Sequence, residues 1–461
     1  MFHSNSLRIA RSWSLLLVGF WLLPASAFAE APRARKAVPA ADCVPVCVRC
    51  TAAETENEPE TDARSTLDED ELGLARFDEC QTTMDCACCP PDPWLVCGGD
   101  GRWWGEAEYL LLWTNGNAVP ALVTTNATVP PRADAGVLRV GDTETLLGDE
   151  RLDKGARSGV ALTLGRWFDD CQNLGIQATW FYVGAPSDEV NAGWQSAGVP
   201  VLARPFQNAA TGLEDAQLVA YPDVVEGLTT AATSSDLRSV EALVRANWRR
   251  EPCSRIDLLA GYRYLGFREG LRLEEHLTLR DPGGVAQIGT RIDLFDQFDV
   301  RNDFHGGTIG LLTSFDRGLL SLDVATKLGL GNVARELTID GGTHVRTPPG
   351  GQGTSLGGLL ALPSNMGTNK DDTFALLPEL DLQARLWLTD RLSFSVGYQL
   401  LFLTNVYRTG QQIDRAVTTD QLVPVLPVGN RAAGGQTHPN PLLTSSTLRA
   451  QGLTIGLSLT Y

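Results

Sequence analysis

The chain ends in "LRAQGLTIGLSLTY" (448–461), where Leu453, Ile455, Leu457, Leu459 and Tyr461 alternate with Gly452, Thr454, Gly456, Ser458 and Thr460. A period of two marks a strand with one apolar face. Two architectures use such a strand: a soluble sandwich, which buries the face in a core, and a membrane barrel, which turns it toward lipid.

The same rhythm recurs from Trp103 onward. In "WWGEAEYLLLW" Trp103, Ala107, Tyr109, Leu111 and Trp113 oppose Glu106 and Glu108, and in "SVEALVRANW" Val240, Ala242, Val244, Ala246 and Trp248 oppose Glu241, Arg245 and Asn247. "LLSLDVATKLGL", "PELDLQARLWL" and "LSFSVGYQLLF" repeat the pattern. The links between strands alternate in length. Short ones fall at 169–173, 250–254, 314–318 and 389–391, and long ones rich in Gly, Pro, Asn and Thr fall at about 114–156, 185–236, 268–298, 332–372 and 405–446. A sandwich has no reason to be tight at one end and heavily decorated at the other, whereas outer-membrane barrels have short periplasmic turns and long external loops. The expected fold is all-β, an antiparallel transmembrane barrel of about ten strands, with twelve as the alternative count. Strands of about 10–12 residues span the ~25 Å apolar band at a tilt near 45°. Tyr109, Trp113, Trp167, Trp180, Tyr182, Trp248, Tyr262, Tyr264, Tyr398 and Tyr461 are expected in aromatic girdles. The last strand should pair with Trp103–Trp113, leaving no edge in lipid.

The N-terminus carries Arg8 and Arg11, an apolar run from Trp13 to Leu23, and Ala27-Phe28-Ala29. That pattern predicts a signal peptide at 1–29, since a helical membrane anchor needs a run of ~20 residues. Residues 30–100 form a separate acidic segment holding Cys43, Cys47, Cys50, Cys80, Cys86, Cys88, Cys89 and Cys97. In an exported chain these cysteines are expected as disulfides, because their spacing matches no standard zinc pattern and no histidine lies among them. The barrel is expected over 101–461. A net charge of −17 without a basic stripe argues against a nucleic-acid partner. The expected partners are outer-membrane lipid and the barrel insertion machinery, and no cofactor or metal motif is present.

Several stretches resemble the beta-barrel porin-7 family of outer-membrane proteins: "WWGEAEYLLLWTNGNAVPALVTT", "LTLGRWFDDCQNLGIQATWFYVG", "RIDLLAGYRYLGFREGL", "FDQFDVRNDFHGGTIGL", "GGLLALPSNMGT" with "FALLPELDLQARLWLTDRL", and "AQGLTIGL". The resemblance runs from about Trp103 to the C-terminus. It implies a barrel in the outer membrane and brings no catalytic residues with it. The alternating residues that end on Tyr461 resemble the signal by which insertion machinery recognises such barrels.

Inward-facing charges are predicted at Glu106, Glu108, Glu241, Arg245, Asp257, Arg263, Asp323, Lys327, Glu379, Asp381 and Arg385. They either line a water-filled pore, giving a porin-like channel for small solutes, or pair with one another and plug a narrow barrel that serves as an envelope anchor. A surface protease is a third reading, from Asp293, Asp296, Asp299, Asp303 and His305 in "DLFDQFDVRNDFH". No enzyme activity is expected from these residues. At "NDFHGG" the apolar face switches from even positions (Val300, Phe304) to odd ones (Ile309, Leu311), and a similar switch falls between Tyr264 and Leu271; a glycine bulge at Gly306-Gly307 would explain the first. Cys171 and Cys253, in two short turns at the same end, are expected to form a disulfide.

Overall fold

The structure, a computed structural model, describes residues 102–169, 171–184, 192–251, 253–281, 286–432, 434 and 436–461. The signal peptide and the Cys-rich acidic segment expected from the sequence lie outside the described residues. Ten strands close on themselves: β1 (Trp103–Thr114), β2 (Arg157–Trp167), β3 (Leu174–Gly184), β4 (Val225–Glu251), β5 (Ser254–Leu279), β6 (Arg291–Arg317), β7 (Leu320–Thr347), β8 (Gly367–Trp387), β9 (Leu392–Tyr407) and β10 (Ser445–Thr460). Each pairs antiparallel with its chain neighbours, and β10 pairs with β1, Trp104 opposite Thr460 and Thr114 opposite Ala450. The ring therefore has no open edge, which an apolar medium requires.

Strands β2 and β3, β4 and β5, β6 and β7, and β8 and β9 are each joined by a tight link at one end, where both β1 begins and β10 finishes. Two of them show why they are tight. The Asp169 carboxylate accepts the N–H groups of Asn173 and Leu174 at 2.9 Å, folding the chain back within a few residues. Gly318 takes a φ of +62° between β6 and β7, a conformation that a residue with Cβ adopts at a cost.

Beyond the lipid the strands run on. β4 to β7 have 26 to 28 residues each, which at ~3.3 Å per residue and the usual tilt rises roughly 60 Å, more than twice the apolar band. Much of what the sequence reads as long loops at 268–298 and 332–372 is thus strand. The reason lies in the faces. On the turn half of β5 and β6 the outward residues are apolar (Leu258, Tyr262, Ile309, Leu311), each 39% exposed or more. On the far half it is the inward residues that are apolar: Leu271, Leu273, Leu277, Ile292, Leu294 and Phe298 are each 3% exposed or less.

No bulge makes this switch. Pairing of β5 with β6 and of β6 with β7 continues residue by residue through Gly306 and Gly307. The strand passes from lipid into water, so its outward face turns polar, while its inward face leaves a polar lumen and meets a protein core. That core belongs to a cap built from the long connections. Glu214–Ala220, Val201–Asn208, Val123–Asn126 and Thr143–Leu147 form a sheet in that order, with Ala416–Val417 added parallel to Val201–Asn208. Leu122, Phe206, Leu218, Leu359, Leu360 and Val417 pack there against the inward residues of β5 and β6, all fully buried or nearly so.

Candidate functional site

Alternation places all eleven predicted charged residues on the inward face of the turn half, and ten of them, all but Asp257, line a cavity of about 820 Å³ that reaches the turn end beside Gln172, Glu251, Gly318 and Asp390. The charges are not free. Lys327 Nζ lies 2.5 Å from Glu379 Oε1, 3.1 Å from Glu241 Oε2 and 3.5 Å from Asp381 Oδ2. Arg263 reaches the same two glutamates, Glu241 at 3.4 Å and Glu379 more closely. Farther round, Arg385 Nη2 pairs with Asp323 at 3.2 Å and lies 3.6 Å from Glu106, and Gln383 donates to Glu106 and Glu108 at 2.9 and 3.1 Å. Asp257, fully buried, accepts from Arg245 at 2.5 Å and from Arg255 at 2.7 and 2.8 Å. Mutual neutralisation of this kind lets ionised groups tolerate a narrow, partly dry lumen.

Three members of this site, Trp104, Trp167 and Arg255, lie outside the eleven predicted positions. Trp104 and Trp167 pack together inside the barrel with centroids 5.0 Å apart and ring planes tilted by 36°. The Arg255 guanidinium lies 4.3 Å over the Trp167 ring and that of Arg245 4.9 Å over it, favourable cation–π placements. Trp167, expected in a girdle, is 5% exposed and points inward, because it shares the parity of Ala161 on β2, not that of Leu162 and Leu164. That parity, and the parity Arg255 shares with Asp257, is the signal that could have found them.

Toward the cap the lumen closes. Leu110, Phe181, Leu265, Phe267, Phe304, Val333, Leu377, Leu401, Leu403 and Leu448 form an apolar layer in which none is more than 4% exposed, and with Ala161 and Leu237 all ten strands contribute. Above it Arg408 grips Glu269 through two bonds of 2.7 Å and donates to Asn115 at 3.0 Å. Higher still, Arg204 of the cap, fully buried, pairs with Glu275 of β5 at 2.6 Å and Asp296 of β6 at 2.7 Å. Burial works against the Arg204 charge, but Asp296 and Glu275 outweigh it and hold the guanidinium pKa above its ordinary value. The other Asp296 oxygen accepts the N–H groups of Leu359, Leu360 and Ala361 at 2.8 to 3.0 Å, which fastens "GGLLAL" across the mouth.

The acidic run that suggested a protease is divided by the sheet. Asp296 points inward into the Arg204 cluster, while Asp293, Asp299, Asp303 and His305 point outward. His305 Nδ1 lies 2.6 Å from the Tyr262 hydroxyl, and Asp303 accepts from Tyr264 at 2.7 Å. Both contacts lie on the outward face of the sheet. The expected Cys171–Cys253 disulfide is not formed. Gln172, beside Cys171, is instead held by Arg255 of β5, which donates to its carbonyl at 2.8 Å.

A family described as Putative beta barrel porin-7 matches residues 104–461. The chain belongs to this family. The porin-7 match begins inside β1 and ends on Tyr461, so it spans the whole barrel with its cap. Among solved structures, the outer membrane protease OmpT from Escherichia coli is similar over 78% of this chain and 96% of its own, with 11% identity and a TM-score of 0.37. The P. putida toluene transporter TodX aligns over 79% and 91%, with 5% identity and a TM-score of 0.17. A Pseudomonas aeruginosa FadL homologue aligns over 78% and 89%, with 10% identity and a TM-score of 0.17. No functionally curated protein matches the chain.

Proposed function

We propose that this porin-7 protein is a closed outer-membrane barrel that anchors a folded cap at the cell surface and offers solutes no open path. The apolar layer from Leu110 to Leu448 carries the reading: it crosses the full lumen and has the cap core behind it. Ten strands are close to the eight whose interior side chains fill, and far from the 16 or more of open porins. Export is supported by the signal-peptide pattern at 1–29 and insertion by the outward apolar residues of β10, with outer-membrane lipid and the insertion machinery as partners. The reading includes no catalytic role, because Asp296 is held inward by Arg204 while Asp293, Asp299, Asp303 and His305 lie on the opposite, outward face of the sheet. Planar-bilayer recording tests the reading. Protein with heat-modifiable gel migration should give no conductance steps, and reproducible ohmic steps would overturn it.

One observation favours a gated porin as the second reading: the 820 Å³ vestibule lined by charges of both signs. Conduction then requires the apolar layer to open. Steps whose ion selectivity shifts with Glu106→Gln or Asp381→Asn would support it.

A further inference from the structure

On the outer surface, one cross-strand row sits just beyond the lipid-facing band. Below it lie Val240, Tyr264 and His305, then Tyr262 and Leu330, the apolar and aromatic residues that mark the edge of the lipid. In the row itself Arg268 of β5 stands directly opposite Arg301 of β6. Side chains so paired have Cβ atoms about 4.5–5.5 Å apart, and like charges there repel. Arg238 of β4 lies one row nearer the lipid, its guanidinium 6.0 Å over the Tyr264 ring, which holds it against the sheet. Arg238 and Arg268 are half-buried, and the Nε of each is buried with no hydrogen-bond partner. Among the described residues no salt bridge satisfies either of them. Asp236 faces Arg268 from β4 without reaching salt-bridge distance, Arg301 gives its Nε to Asp303, and Glu336, opposite Arg301 on β7, pairs with Lys370 at 3.2 Å.

In a chain of net charge −17, three guanidiniums at the lipid edge, two of them without a carboxylate partner, are an incomplete arrangement. An anion between them would relieve the repulsion and use guanidinium forks suited to phosphate. From these placements we infer that Arg238, Arg268 and Arg301 hold the phosphate of an outer-leaflet lipid headgroup. Lipid supplies the phosphate because the girdle of Tyr262, Tyr264 and His305 fixes the row at headgroup depth. The barrel would then carry a fixed annular lipid on the β4–β6 wall, whether or not its lumen conducts.

Native mass spectrometry of the full chain in a zwitterionic detergent tests this, with bis-phosphorylated lipid A, its dephosphorylated form and inorganic phosphate as probes. Wild-type protein should retain lipid A and not the dephosphorylated form. R268Q/R301Q should bind lipid A roughly 30-fold more weakly, as expected for removing two arginines near a membrane surface. R268K/R301K, which keeps the charges and loses the forks, should recover part of the binding. Without lipid, R268Q/R301Q should melt at or above the wild-type temperature, because the like-charge pair is gone. Should that variant fail to regain heat-modifiable migration, R301Q alone, at a side chain 48% exposed, carries the same comparison. Equal retention by wild type and variant, equal retention of the dephosphorylated lipid, competition by inorganic phosphate at matched concentration, or a requirement for added magnesium would each overturn the proposal.

Discussion

Leu265 of β5 stands directly opposite Phe304 of β6, both pointing into the barrel and both fully buried. Two residues along each strand, toward the turn end, Arg263 faces Gly306 and the lumen is polar; two toward the cap, Phe267 faces Asn302 and the lumen is filled. This pair marks where the lumen shuts. Phe304→Ala should cost about 3–5 kcal/mol, the usual range for emptying a packed aromatic site. The measurement is the temperature at which gel migration shifts. In the double variant Phe267→Ala/Phe304→Ala the gap crosses the layer, and conductance steps absent from the wild type should appear in planar bilayers. If the double variant folds and stays silent, the cap and not the layer is what seals the barrel.

The turn half of the barrel was legible in the sequence because one rule governs it: apolar residues face lipid, polar residues face the lumen, and the period is two. Glu106, Lys327, Glu379 and their neighbours follow from parity alone. The cap half breaks that rule while keeping the period. Leu271, Leu273 and Leu277 point inward, and Arg272, Glu274 and His276 point to water, so the apolar positions shift by one and read as a bulge followed by loop. Nothing local says that the environment has been exchanged on both sides of the sheet. The closure of the lumen depends on residues from all ten strands, and the Arg204 cluster joins positions separated by 71 and more residues. Neither is visible without the register.

Lys327 is the cation that holds three carboxylates together. Its side chain is 12% exposed and Glu379's is 1% exposed, so Lys327→Met leaves Glu241, Glu379 and Asp381 with Arg263 as their nearest remaining cation. Breaking a buried pair from one side costs about 3–5 kcal/mol. The midpoint of urea unfolding should fall accordingly, and Lys327→Met/Glu379→Gln should recover part of the loss because the two residues couple. A single variant as stable as the wild type would mean that water reaches these groups and screens them.

In the cap, the Asp142 carboxylate accepts from the Thr128 hydroxyl at 2.6 Å, the Asn126 amide at 2.9 Å and the Thr128 N–H at 3.1 Å. Those bonds, the Thr128 hydroxyl first, pull its pKa from 3.8 to about 2. A carboxylate with a depressed folded-state pKa stabilises the fold above its unfolded value and loses that contribution as pH falls through the folded one. Peptic cleavage within 127–142 should therefore rise as pH drops from about 4 to about 2. Asp142→Asn should show raised cleavage throughout and little change across that window. Equal pH profiles for the two would remove Asp142 as the cause.

Tyr461 closes the barrel with its backbone and offers its side chain to the outside. Its N–H donates to the Trp103 carbonyl at 2.8 Å, and the Trp103 N–H donates to its carbonyl at 2.7 Å, the last rung between β10 and β1. The ring, by contrast, is 75% exposed, with the Arg391 guanidinium 5.6 Å over it, and it extends an outward row in which Leu453, Ile455, Leu457 and Leu459 are 47% to 54% exposed. An exposed ring adds little to the folded state, so Tyr461→Ala should change stability by less than about 0.5 kcal/mol once the protein is refolded in detergent. If the row is what the insertion machinery reads, the same variant should assemble poorly in cells, with protein that is not heat-modifiable building up in the periplasm. Deleting Tyr461 removes the backbone rung as well and should lower both assembly and the melting temperature. The contrast separates the two roles. Equal melting with impaired assembly assigns the side chain to recognition, whereas a parallel loss of both in Tyr461→Ala would make it a structural residue of the final strand pair.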